Sequence, residues 1–177
     1  MKLALVLLGL LSAAATAATP ADWLTRPAVT GFVVGHEAGD SQQSIREYVP
    51  QGETVHNWTR MVTDQRFIDF VELATPQEFA EEMARNLPKG CPGGKASAVI
   101  SLQIEGRNAA RMRADCPRNP DTGKPEVFWI VLIAGERDMH SRQVAFRRIP
   151  TAADTAWAEG VIAATRLCRP GSKAKGC

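Results

Sequence analysis

The stretch Ile45–Phe70, IREYVPQGETVHNWTRMVTDQRFIDF, decides how the rest of the chain is read. Ile45, Glu47 and Val49 alternate with Arg46 and Tyr48 in the period of a strand. Pro50 stops it, because proline has no N–H to give to a ladder. Gln51–Asn57 turns around Gly52, and Trp58–Phe67 resumes the extended pattern. Apolar and polar residues mix on both sides of each segment, which predicts a hairpin only half covered by the core.

Working outward, Gly31–His36 reads as a preceding strand and Glu37–Ser44 as a polar loop. Downstream, Thr75-Pro76-Gln77-Glu78 is a helix start, with Thr75 at the N-cap, Pro76 in the first turn and Glu78 completing a capping box. Phe79, Met83 and Leu87 follow as one stripe with Ala80 and Ala84 beside it, and Pro88-Lys89-Gly90 is predicted to end the helix. The period then shortens to 2. Ala98, Ile100, Leu102 and Ile104 alternate through Ala96–Glu105, Gly106-Arg107-Asn108 reads as the turn, and Ala110, Met112, Ala114 and Cys116 alternate with Arg111, Arg113 and Asp115. Val127–Ala134, VFWIVLIA, is apolar on both sides and predicts a central strand covered on both faces. Gly135–Asp138 turns the chain into a last strand, Gln143–Ile149.

Thr151-Ala152-Ala153-Asp154 repeats the helix-start signature. Trp157, Val161, Ala164 and Cys168 form its stripe, which predicts a helix reaching Cys168 and ended by Arg169-Pro170-Gly171. The order βββ-α-ββββ-α, joined by short links, predicts an α+β fold: an antiparallel sheet of about six to seven strands with two amphipathic helices packed on it.

The first residues read as an address rather than as structure. Lys2, the apolar run Leu3–Leu11 and the small residues Ser12–Ala18, with Ala15-Thr16-Ala17 as an A-x-A site, form a secretory signal peptide at residues 1–18. The apolar run is too short for a membrane span, and no cysteine follows it to carry a lipid. Residues 19–177 are then expected as one domain, large enough for a core of its own. With Lys2 removed, the 21 Lys and Arg fall to 20 against 19 Asp and Glu. That balance lacks the basic excess of a nucleic-acid binder. No later apolar run is long enough for stable membrane insertion. The expectation is a periplasmic or secreted protein, soluble after cleavage.

The four cysteines, Cys91, Cys116, Cys168 and Cys177, fit two disulfides in an exported chain. The sequence-local pairing is favoured. Cys91–Cys116 clamps the ends of the predicted hairpin, and Cys168–Cys177 closes CRPGSKAKGC into a loop. Loop-closure entropy assigns them about 3–4 and just under about 3 kcal/mol. A metal site is the weaker alternative, since there is no C-x-x-C and no neighbouring histidine pair.

The order of elements resembles the PsbP-like superfamily of small antiparallel α/β/α sandwiches. The run Tyr48-Val49-Pro50, Gly52-Glu53, Asn57-Trp58-Thr59 and Met61 is also similar to that of exported bacterial proteins of unknown function. The resemblance implies a fold whose members are mostly non-enzymatic assembly factors, extrinsic subunits or partner-binding modules.

Catalytic constellations are not evident. His36, His56 and His140 lie far apart, with no H-x-H or H-E-x-x-H spacing. No serine sits in a G-x-S-x-G elbow. Two features point instead to binding. Arg107, Arg111, Arg113 and Arg118 border the charged side of one hairpin, and Arg142, Arg147 and Arg148 lie near the last strand. Neighbouring strands would pool this charge for an anionic partner or lipid headgroups, whereas a solvated strand face explains the same residues without a ligand. Trp58 with Tyr48 reads either as the lining of a groove or as half-buried sheet anchors.

The reading that follows is an exported, non-catalytic binding or assembly-type module without cofactor or metal. Its candidate binding residues are Tyr48, Trp58, Arg111, Arg113 and Arg147. Its expected partner is an envelope protein or a small ligand, and not nucleic acid. The alternative is a small-ligand or anion-binding protein with a pocket near Trp58. A hydrolytic enzyme ranks third and requires a histidine to converge with a carboxylate.

Overall fold

A computed structural model of the chain describes residues 22–172 and 176–177, so the signal peptide expected at 1–18 lies outside the described residues. The strands are β1 (Trp23–Leu24), β2 (Phe32–Gly39), β3 (Gln43–Pro50), β4 (Arg60–Phe67), β5 (Lys95–Ala96), β6 (Ile100–Ile104), β7 (Arg107–Cys116), β8 (Glu126–Ala134), β9 (Met139–Phe146) and β10 (Leu167–Cys168). Two helices, α1 (Pro76–Gly90) and α2 (Ala152–Ala163), complete the described residues. An eight-stranded antiparallel sheet runs in the order β2-β3-β4-β9-β8-β7-β5, with β6 also paired to β7, while β1 and β10 form a separate two-stranded ribbon. The fold is α+β and antiparallel, as expected.

The helices lie on opposite faces because the central strand is apolar on both. Ile130 and Leu132 of β8 pack with Ala110, Met112 and Met139 beneath Ala80 of α1. Trp129, Val131 and Ile133 point the other way and pack with Val62, Val144 and Phe146 beneath Ala158, Val161 and Ile162 of α2. Burying a large apolar side chain contributes about 1.5–3 kcal/mol, so VFWIVLIA sits where both helices cover it. Both helix starts form as predicted. The Thr75 hydroxyl accepts from the Glu78 N–H while Glu78 accepts from the Thr75 N–H, and Thr151 and Asp154 repeat the arrangement. Both disulfides form in the favoured pairing, with Cα separations of 5.8 Å for Cys91–Cys116 and 5.4 Å for Cys168–Cys177.

Several boundaries differ for identifiable reasons. The loop expected at Glu37–Ser44 shrinks to Asp40–Gln42, because the Asp40 side chain accepts from the N–H groups of Gln42 and Gln43 and lets both strands extend. The single strand expected at Ala96–Glu105 divides into β5 and β6, both paired to β7, with Ser97 bridging the gap to Arg113. The following turn is Glu105–Gly106, both at positive φ, and Arg107 already pairs with Ile104. The last strand begins at Met139 rather than Gln143, since His140, Ser141 and Arg142 are buried rather than looped out. Helix α1 continues through Pro88 to Gly90, although proline gives no N–H to the carbonyl one turn back, so the residue expected to end the helix lies inside its last turn. Helix α2 ends at Ala163, and Cys168 lies in β10, so its match to the helical stripe was coincidental.

Candidate functional site

On the α2 face, α2 packs over β8 and β9. The remainder is covered by a strap made from the two ends of the described chain. Trp23 pairs with Cys168 and Leu24 with Leu167. The Thr25 N–H donates to the Arg166 carbonyl at 3.0 Å. Between strap and sheet lies a cleft of about 750 Å³, lined by Asp22, Trp23, Leu24 and Arg26 of the strap and by Val34, Glu37, Arg46, Tyr48, Asp64, Arg66 and His140 of β2, β3, β4 and β9.

Alternation explains the polar floor. The register sets Arg46 opposite Asp64, Asp64 opposite Arg142 and Arg66 opposite His140, so alternate side chains of three strands share one face. These groups pair with neighbouring charges, some of them out of water and some half exposed. Arg142, 1% exposed, donates from Nε and Nη2 to both Asp64 carboxylate oxygens at 2.7 and 2.8 Å. It also donates to the Thr25 carbonyl, which pins the strap to the floor. Asp138 accepts from Arg66 at 2.6 Å and from the Asp69 N–H at 2.9 Å. Burial works to raise the Asp138 pKa, but those donors outweigh it and hold the carboxyl below its usual range. Asp22 accepts from the Glu136 N–H at 2.8 Å and lies 3.7 Å from Arg107. Glu37 pairs with Arg46. His140 is 2% exposed, its Nε2 has no protein partner, and burial pushes its pKa down to about 4. It is therefore a neutral imidazole at physiological pH.

Gly135 is required where the strap meets the β8–β9 turn. A Cβ there would lie 2.8 Å from the Asp138 carbonyl oxygen and 2.9 Å from Asp22 Oδ2.

The residues singled out in the sequence fall in separate places. Tyr48 is in the cleft floor, where it packs with Val62 and Val144. Trp58 is buried on the opposite face with Val49, Met61 and Ala145, so the two aromatics do not share a groove. Arg147 lies over the Trp58 ring at 4.2 Å and donates to the His56 carbonyl at 2.8 Å. Glu53 accepts from the Thr59 N–H and hydroxyl at 2.7 and 2.8 Å. The Gly52-Glu53 to Trp58-Thr59 run thus braces its own loop. Arg113 pairs with Asp115 and lies 4.8 Å from the Trp129 ring centre. Arg111 lines a second, smaller groove of about 430 Å³ with Leu102, Ile104, Ile162 and Arg166. The two arginine groups do not pool, because β8 lies between β7 and β9. Among them Arg107 and Arg142 serve the strap and Arg148 pairs with Asp154.

His36, His56 and His140 remain apart, and among the described residues no group of three or more His, Cys, Asp or Glu side chains is placed to hold a metal ion. No described helix is long and apolar enough to cross a membrane. The strap and Arg26 were not singled out as a site in the sequence, and His140 was weighed there only with His36 and His56 for a catalytic or metal role. The one available signal was the polar run His140–Arg142 set between two apolar strand segments.

No protein-family model matches the chain, and no curated protein matches it. Solved structures do. Cyanobacterial PsbP (CyanoP) from Synechocystis is similar over 89% of this chain and 99% of that one, with a TM-score of 0.51 and 5% identity. A protein of unknown function from Pseudomonas aeruginosa, PA94, is similar over 70% and 78%, with a TM-score of 0.47 and 18% identity. The Ran-binding protein Mog1p of Saccharomyces cerevisiae is similar over 80% and 84%, with a TM-score of 0.43 and 14% identity. At these identities the likeness concerns architecture and not activity. The chain has a PsbP-like fold.

Proposed function

We propose that the protein is an exported, non-catalytic binding module and that it engages its partner in the cleft beneath the strap. The observation that carries this reading is the state of the cleft's ionisable groups. Asp22, Glu37 and Asp64 are each held by an arginine or a backbone N–H, and Arg66 is held by Asp138. A general acid or base needs a pKa near the working pH and access to a substrate proton. His140 fails the first condition, because burial holds its pKa well below neutrality. A cleft built this way suits recognition: its charges are fixed in place before a ligand arrives. Export is supported by the two disulfides, which persist in oxidising compartments, and by the signal-like start of the sequence.

Native mass spectrometry of the protein expressed with its own N-terminus tests both parts. A denatured mass lacking residues 1–18 and four protons is expected. The native mass is expected to carry an added ligand, and Ser44→Trp, which puts a large side chain at a lining position of the cleft, is expected to remove it. An unprocessed N-terminus overturns export. An adduct that survives Ser44→Trp places binding elsewhere, and a bare native mass removes the support for a ligand in the cleft.

A further inference from the structure

The cleft's charge and lining narrow what it takes. Building on the cleft reading above, we infer that the ligand is an amphiphilic monocarboxylate, a single carboxylate carried on an aromatic or branched aliphatic group. Three observations lead there. Arg26, exposed on the strap and lining the cleft, makes no side-chain ion pair or hydrogen bond among the described residues, while the lining carboxylates all have partners. Among the described residues, Arg26 is therefore the one charged lining side chain left without a partner. A guanidinium offers two parallel N–H donors matched to a carboxylate. The other lining cations, Arg46 and Arg66, are already held by Glu37 and Asp138, so the cleft offers one unpaired guanidinium, matched to one negative charge rather than to a polyanion such as a phosphate ester.

The second observation is apolar. Trp23 on the strap is 43% exposed and Val34 on β2 is 47% exposed, and both line the cleft. Together with Tyr48 they offer an apolar group a place to shed water. The third is polar. His140 Nε2 is buried at the floor without a protein partner. Buried polar atoms are rarely left unpaired, and a neutral imidazole nitrogen accepts or donates as its tautomer requires. An acid that reaches the floor satisfies it.

Two sources share this chemistry, a free organic acid and the carboxyl terminus of a peptide. The probes are 3-phenylpropionate and the tripeptide Ala-Leu-Phe, each with its carboxamide analogue. They are titrated into protein with both disulfides formed, and binding is followed by Trp23 indole and Arg26 shifts in two-dimensional NMR. Both acids are expected to move Trp23 with dissociation constants in the millimolar range or tighter, and the amides to bind about fivefold more weakly or less. Arg26→Gln is expected to erase the preference of acid over amide, while Arg118→Gln, an exposed arginine outside the cleft, leaves it. A tripeptide acid at least about tenfold tighter than 3-phenylpropionate identifies a peptide terminus, and the reverse order identifies a small acid. Amides that bind at Trp23 as tightly as acids overturn the carboxylate and leave the cleft as a binding site. Failure of all four probes to perturb Trp23 up to about 10 mM overturns the carboxylate and the cleft reading together.

Discussion

Arg142 shows how the same ion pair carries different weight in different surroundings. Its guanidinium and the Asp64 carboxylate are both largely out of water, so truncating one leaves the other charged, buried and unpaired. Arg142→Ala is therefore expected to destabilise the protein by about 3–5 kcal/mol. The double replacement Arg142→Met with Asp64→Leu is expected to cost less than that single change, because no charge is left stranded. Arg46 and Glu37 sit in the same cleft but about half exposed, and Arg46→Ala is expected to cost less than about 1 kcal/mol. Urea unfolding at neutral pH with disulfides intact reads all three, and equal losses for Arg142→Ala and Arg46→Ala would contradict the account. His140 adds a dependence on pH. Asp138 and Asp22 draw a proton toward it and Arg66 and Arg107 oppose one, but burial dominates and holds its folded pKa at about 4 against 6.5. As pH falls below about 6.5 the unfolded chain takes up this proton and the folded chain does not, so stability is lost down to about pH 4 and the loss then levels off. The 2.5-unit gap corresponds to about 3 kcal/mol. Unfolding free energies at pH 7 and pH 4.5 are expected to differ by most of that amount, and His140→Gln to flatten the difference.

Elements respond to local chemistry that the sequence states more or less openly. The β6–β7 turn places Glu105 at φ 51° and Gly106 at φ 77°, the left-handed pair of a type I′ hairpin. Glycine accepts that conformation freely, but glutamate carries a Cβ into it, and asparagine tolerates it better. Glu105→Asn is therefore expected to raise the unfolding free energy by about 0.4–1 kcal/mol, measured by thermal and urea unfolding, with no change at the cleft. Thr75→Ala is expected to lower it by about 1 kcal/mol, because the Glu78 N–H loses its acceptor. The two sites differ in how plainly they could be read. Thr75-Pro76-Gln77-Glu78 announces its helix because the cap and its partner lie within four consecutive residues. Gly106 signals a turn, but only the pairing of Ile104 with Arg107 shows that Glu105 is its first residue. The start of β9 was hidden for a related reason. Met139-His140-Ser141-Arg142 has the polarity of a loop, and its burial depends on Asp64, Asp22 and Asp138 arriving from elsewhere in the chain.

The whole molecule depends on a closure that no local pattern reveals. Period-2 alternation told which residues of a strand share a side, so the two-faced β8 and the apolar stripe of α1 were legible. It did not tell which strands are neighbours, so a shared groove for Tyr48 and Trp58 stayed open beside the sheet-anchor reading, and only the structure sets them on opposite faces of the sheet, each buried in its own cluster. Nor did it show that Thr25 meets Arg166, a contact between segments 141 residues apart. The disulfide Cys168–Cys177 was legible as a small loop, and the structure gives it a larger part. It ties the last residues to β10, which pairs with β1 and so holds Trp23 and Arg26 over the cleft. Opening its loop, a sequence separation of 9, by Cys168→Ala with Cys177→Ala is expected to lower the unfolding free energy by about 2.5 kcal/mol. The loss should not be uniform. Strap amides are held by a two-residue ribbon and a few neighbouring contacts, whereas β4 and β9 lie inside the eight-stranded sheet, and protection follows the cheapest local opening. Hydrogen exchange of the Thr25 amide is expected to accelerate at least about tenfold in this variant and to stay faster than that of Val62 and Val144, which are fully buried in the sheet and accelerate by no more than the roughly 70-fold that the global loss allows. If Thr25 keeps its protection while the sheet loses its own, the strap is held by Arg142 and Asp22 from the sheet side, and the disulfide has no part in covering the cleft.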